Sequence, residues 1–207
     1  MTKKNELKSK NHLIRLVHGQ EVPATGVWSI PPETASIHFT LRRPCARPIR
    51  GEVGLDDGVI LVAADPHESV AAISMDAASL RTASRRRDAR VRARWLAADR
   101  YPTIDLLVDS VERQTRWEWT ALARLRLRNT TTPVALCFTY DGVDAAGDAK
   151  FRARTTLQVA GLGIARRWSR WFTRALWVDI SVEIRARRIA DLATFASDLR
   201  HPSSFVA

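Results

Sequence analysis

The chain has 207 residues, 45% of them hydrophobic, and a formal net charge of +11 at pH 7. That length and apolar content suit one domain with a real core plus short extensions, and the longest apolar run, Gly58 to Ala64, is far shorter than the ~18 to 20 residues of a membrane-spanning helix. Cys45 and Cys137 are far apart and form no Cys-x-x-Cys pairing, which excludes a disulfide framework and reads as two thiols in a reducing compartment.

Residues 1–25 lack periodicity and carry Lys3, Lys4, Lys8 and Lys10. They read as a basic, flexible N-terminal extension, with at most a short ordered piece near Leu13 to Val17. Arg15 interrupts that apolar stretch, leaving it too short for a signal-peptide core, so the expected location is cytoplasmic, with a membrane-peripheral position as the variant.

From Gly26 onward the dominant period is two. Ile37, Phe39 and Leu41 supply it near the start, and in residues 117–128 Trp117, Trp119, Ala121, Ala123, Leu125 and Leu127 alternate with mostly polar neighbours. Val134, Leu136, Phe138 and Tyr140 repeat the pattern, as do Val178, Ile180, Val182 and Ile184. Such alternation marks strands with one buried and one wet face. Asp56-Asp57-Gly58, Asp65-Pro66, Asn129-Thr130 and Asp141-Gly142 read as the turns between them.

One helical excursion interrupts the strands, near residues 84–98. Val91 and Trp95 lie four apart and share a helical face, and Pro102 is expected to stop the helix so that a strand begins at about Thr103. After the last strand, Ile189, Leu192, Phe195, Ala196 and Leu199 recur at helical spacing, which predicts a short amphipathic helix and tail over 188–207. The fold class is all-β: the pattern fits an antiparallel sheet of about eight strands curled into a closed barrel, a form that removes exposed strand edges, with a sandwich as the alternative.

The ordered motifs carry a family resemblance. Ser79-Leu80-Arg81-Thr82 leads to Arg87-Asp88, Val91-Arg92-Ala93, Trp95-Leu96 and Tyr101-Pro102. Upstream stand Trp28-x-Ile30, Ile37-x-Phe39-x-Leu41-Arg42 and Ile49-Arg50-Gly51; downstream stand Leu125-x-Leu127, Thr132-Pro133-Val134 and Leu162-Gly163-Ile164. This series resembles the YceI-like polyisoprenoid-binding proteins over roughly residues 26–187. The chain departs from the family pattern where Pro31, Thr34 and Ala35 replace an acid, a histidine and a serine, where Arg42-Arg43 stands for Arg-His, and where Val159 stands for an arginine.

The resemblance implies a lipocalin-like barrel with an elongated apolar cavity for an isoprenoid-like or other amphipathic lipid, with no other cofactor than such a bound isoprenoid or quinone-like molecule. By strand phase, the candidate lining residues are Phe39, Leu41, Ile73, Met75, Leu106, Val108, Leu136, Phe138, Ile180 and Val182; each either meets ligand or packs the interior. Arg42, Arg43, Arg87 and Arg92 are candidates for a polar head group, since guanidinium groups present fixed donors to phosphate or carbonyl oxygen.

Charge concentrates in two places. Residues 81–100 hold eight arginines against Asp88 and Asp99, and residues 165–177 hold Arg166, Arg167, Arg170 and Arg174 with no acid, interleaved with Trp168, Trp171, Phe172 and Trp177. Arginine beside interfacial aromatics is what contact with an anionic membrane surface requires, and Arg166, Arg167, Trp168, Arg170, Trp171 and Phe172 are the candidates. The same pattern would serve nucleic acid, the alternative partner, although no helix-turn-helix, zinc finger or RNP-type motif accompanies it. The sequence leaves monomer and homodimer both open.

Enzymatic chemistry finds little to stand on. His12, His18, His38, His67 and His201 are scattered without metal-ligand spacing, no Gly-x-Ser-x-Gly elbow occurs, and Gly161-Leu162-Gly163 lacks the third glycine and βαβ setting of a phosphate loop. The expected activity is binding without catalysis, and the expected metal set is none.

Overall fold

The computed structural model describes residues 12–163 and 176–190. Its strands are β1 Ile14–Val17, β2 Gln20–Pro23, β3 Gly26–Ser29, β4 Ser36–Arg43, β5 Ala46–Val62, β6 Val70–Thr82, β7 Thr103–Arg113, β8 Trp119–Leu127, β9 Thr130–Val143, β10 Ala149–Gln158 and β11 Trp177–Ala190. Between β6 and β7 lies α1, Arg85–Arg90, continued by a π-helical stretch over Val91–Leu96.

Pro31 and Pro32 split one wall position of the barrel in two. Neither can donate a ladder hydrogen bond, and the chain makes a 3-10 turn over Pro32–Thr34 between β3 and β4. Both pieces nevertheless lie between the same neighbours. β3 pairs with Val59–Val62 of β5 and with the end of β11, while β4 pairs with the first half of β5 and with Trp177 to Glu183 of β11. From β5 the sheet runs antiparallel through β6, β7, β8, β9 and β10, and β10 returns to β11 from Ala149↔Ala186 to Gln158↔Trp177. Eight wall positions thus close on themselves, and no edge is left for aggregation.

Two of the expected turns are bulges inside long strands. Asp56-Asp57-Gly58 lies within β5, where the register against β6 shifts between Leu55 and Asp57, and Asp141-Gly142 lies within β9, where Gly142 takes φ +82. Polar, glycine-bearing triplets serve either purpose; here they bend a continuous strand so that the sheet can curl. Asp65-Pro66 does begin a 3-10 turn, and β8 passes to β9 through Arg128-Asn129, with Arg128 at φ 58. The helix ends at Ala97, which is left-handed at φ 50 and ψ 51, five residues before Pro102. Backbone reversal at Ala97 therefore stops it, and Pro102 leads into β7.

The ends of the chain correct two further expectations. Within the segment read as a flexible extension, β1 and β2 form a hairpin through His18-Gly19, and Val22 is buried against Val111 and Trp119. Ile189 belongs to β11 and is exposed, so it does not begin a helix; Leu192, Phe195, Ala196 and Leu199 lie outside the described residues.

Period-two burial is clearest in β8, where Trp119, Ala121, Ala123, Leu125 and Leu127 are buried and Leu122, Arg124 and Arg126 are exposed. Trp117 precedes the strand and is exposed. The α1 end of the barrel is filled: Leu80, Leu96, Leu127, Leu157 and Leu162 are all buried in one core cluster. Phe39 adds to this filling by lying over Gly51, whose missing side chain leaves the ring its place.

Candidate functional site

The other half of the barrel is not filled. The inward faces of β4 to β11, together with the β1–β2 hairpin, line an apolar cavity of about 160 Å³. One water needs on the order of 10–15 Å³ of such space and two to four polar partners. The room is ample and the partners are absent from most of the wall, so this cavity suits hydrocarbon better than solvent.

Of the ten residues expected to line it, Ile73, Met75, Leu106, Val108, Leu136, Phe138 and Val182 do so. Phe39, Leu41 and Ile180 do not. Phe39 faces Ile180 across the β4–β11 ladder, and Leu41 faces Val178 one step nearer α1. Their inward phase is as expected, but they sit toward the filled half, where Phe39 and Ile180 pack against the buried cluster.

The lining also includes residues outside the expected set, among them Ala121, Tyr140, Phe151 and Ile184 from strands, and Arg15, Val22 and Pro23 from the hairpin. The strand residues were accessible to the same alternation rule. The hairpin was hidden by its basic, aperiodic surroundings.

Arg15 fastens that hairpin to the barrel rim. Its guanidinium donates to the carbonyls of Pro23 (3.2 Å), Ala64 (2.5 Å) and Ala63 (2.6 Å). Burial lowers its pKa, and Asp65 offsets part of that effect. Nearby, Trp119 stacks on Phe138 with ring centroids 6.4 Å apart, and the His67 ring, tilted against Trp119, lies 2.7 Å from the Val111 carbonyl.

The four head-group candidates lie away from the cavity. Arg42 pairs with Asp179 at 2.7 Å across the β4–β11 ladder. Arg92 faces Asp88 electrostatically. Arg43 and Arg87, with Arg47 and Arg50, line a separate open depression of about 480 Å³ at the α1 end. That depression shares no lining residue with the cavity.

Arg87 and Asp88 are engaged locally. The Thr82 hydroxyl donates to Asp88 Oδ1 and accepts from Arg87 Nε (3.0 Å) and Nη2 (2.8 Å), while the Thr82 N–H donates to Asp88 Oδ2 at 3.0 Å. Burial raises the Asp88 pKa, but the Thr82 hydrogen bonds and the charges of Arg87 and Arg92 outweigh it and hold the carboxyl below its ordinary range. The pair ties α1 to the end of β6.

Arg166, Arg167, Trp168, Arg170, Trp171 and Phe172 lie outside the described residues. Among the described residues no three His, Cys, Asp or Glu side chains converge as metal ligands, and no helix is long and apolar enough to cross a membrane.

Comparison with known proteins agrees with this geometry. No curated protein sequence matches the chain. Among solved structures, BcnA of Burkholderia cenocepacia superposes with a TM-score of 0.61 at 13% identity, covering 75% of this chain and 98% of that one. A polyisoprenoid-binding domain from Saccharophagus degradans, implicated in plant cell wall breakdown, gives 0.60 at 12% identity, over 78% and 98%. The YceI protein of Campylobacter jejuni gives 0.54 at 16% identity, over 72% and 89%. At these identities the superpositions establish the fold. The family model for the YceI-like domain matches residues 28–187, and with that match spanning most of its length the chain belongs to the YceI-like family.

Proposed function

We propose that this protein binds an isoprenoid-like or other amphipathic lipid, holding its hydrocarbon in the barrel cavity without chemical conversion. The observation that carries this reading is the cavity itself, about 160 Å³ lined by inward apolar side chains from strands around the barrel. Removing hydrocarbon from water is worth about 25 cal/mol per Å², a drive that needs no directed bonds. The polyisoprenoid-binding domain among the structural neighbours supports the same class of ligand. The test is displacement of an environment-sensitive apolar dye by a long-chain prenol. Stoichiometric displacement supports the reading, and failure of both dye and prenol to bind contradicts it.

A second reading concerns the opposite end. Arg43, Arg47, Arg50 and Arg87 line one depression in which no carboxylate stands among the described residues, which favours contact with an anionic bilayer surface. Cosedimentation with phosphatidylglycerol vesicles that is lost in R43Q/R47Q supports it; equal binding by that variant contradicts it.

A further inference from the structure

The cavity ends at a definite level along the barrel. In the β4–β11 ladder Ile37 stands opposite Val182 and both line it, while the next inward pair toward α1, Phe39 and Ile180, does not. The β8–β9 ladder repeats the boundary: Ala121 and Leu136 line the cavity, and the next inward pair, Ala123 and Val134, belongs to the packed core. Of these four residues beyond the boundary, Phe39 carries the largest side chain and Ala123 the smallest.

The Phe39 ring is held in place by its neighbour in β5. Gly51 stands opposite it, and a Cβ at Gly51 would overlap the ring. Directly opposed residues of a ladder share one face of the sheet, so the ring occupies interior space that a side chain at position 51 would otherwise need. At the other end of the cavity, Val70 begins β6, lines the cavity and is itself exposed. The cavity therefore reaches the surface at the hairpin end and is closed on the side of Phe39.

A volume of about 160 Å³ is small for a lipid tail. An apolar protein cavity of about 150 Å³ accepts one benzene molecule, so the room here is on the order of five to ten carbons, or at most about two isoprene units.

We propose that Phe39 sets the length of chain the barrel accepts: a prenyl chain enters at the hairpin end, buries its last one or two isoprene units, and stops against the Phe39 ring, with any further units left outside. This rests on the lipid-binding reading and adds a length limit to it. The ligand class is a short prenyl compound or the terminal part of a longer one, and affinity follows only the units that enter.

The test measures displacement of the apolar dye, in vesicle-free buffer, by prenyl alcohols of one, two, three and four isoprene units, each below its solubility limit. In the natural chain the second unit is expected to tighten binding about tenfold or more, because its burial removes apolar surface from water, and the third and fourth less than about twofold each. Phe39→Ala is expected to gain about tenfold from the third unit. Ile37→Phe brings an aromatic ring one inward step nearer the hairpin and is expected to lose most of the gain from the second unit; it decides alone if F39A does not fold. Affinity that climbs equally through all four units in the natural chain overturns the length limit, and a plateau that neither variant moves overturns the role of Phe39; lipid binding stands in both cases. Failure of the dye and all four alcohols to bind the natural chain overturns the lipid-binding reading and the length limit with it.

Discussion

Asp88 takes both of its hydrogen bonds to the end of β6 from one residue, Thr82: the backbone N–H at 3.0 Å to one carboxylate oxygen and the hydroxyl to the other. Its side chain is buried at the junction where the barrel wall turns into α1. A carboxylate so placed accepts from two donors that would otherwise go unmet, which fixes the angle at which the helical insert leaves the strand.

Asp88→Asn should therefore destabilise the protein by about 2 kcal/mol near pH 7, because an amide NH₂ must face one of those donors. The folded-state pKa of Asp88 lies below its unfolded value. Its stabilisation is thus complete above the unfolded pKa of about 4 and is lost as pH falls through the folded value. Thermal melts of the natural chain and D88N are expected to differ at neutral pH, to begin converging as pH falls below about 4, and to meet only below the depressed folded-state pKa of Asp88. A difference that persists unchanged into acid would show that the charge of Asp88 is not what stabilises the junction.

The two alanines Ala121 and Ala123 face the same interior from β8, yet only Ala121 lines the cavity. Ala121→Leu adds volume where there is room, so it should leave the melting temperature unchanged or raise it while weakening lipid uptake at least tenfold. Ala123→Leu adds the same volume to packed surroundings and should cost about 1 to 3 kcal/mol. Differential scanning calorimetry with dye-displacement titration separates the two outcomes.

Much of the barrel was legible because its walls are wet on one side. Alternation in β8, β9 and β11 marks strands directly, and the phase of Ile73, Met75, Leu106, Val108, Leu136, Phe138 and Val182 gives their inward direction. Phase cannot say how far along the barrel axis a side chain sits. Phe39, Leu41 and Ile180 point inward but toward the filled half, a position set by register with Gly51 and β11. Arg42 looked available until cross-strand pairing brought it to Asp179, 137 residues away. The β1–β2 hairpin escaped notice for a different reason. Its strands are four residues each, and what fixes them is Arg15 reaching carbonyls some 48 residues distant. Its sequence signal was the His18-Gly19 turn between Leu16 and Val22, too short to outweigh the polar flanks.

That dependence on Arg15 is itself testable. Arg15→Met keeps the aliphatic stem but removes all three carbonyl contacts. Amide exchange of residues 14–23 should accelerate at least tenfold while the wall strands β7 and β8 keep their protection. Equal acceleration throughout the barrel would mean that Arg15 supports global stability and does not specifically hold the hairpin against the rim.

The central claim is that the cavity holds lipid, and native mass spectrometry of freshly purified protein, followed by solvent extraction of whatever is released, tests it most directly. A one-to-one adduct that extracts as a neutral, largely hydrocarbon species with an isoprenoid or comparable lipid composition is the predicted result. A clean mass for the chain alone, with no uptake after incubation with prenol-containing vesicles, would contradict it and leave the apolar interior as a packing feature of the fold.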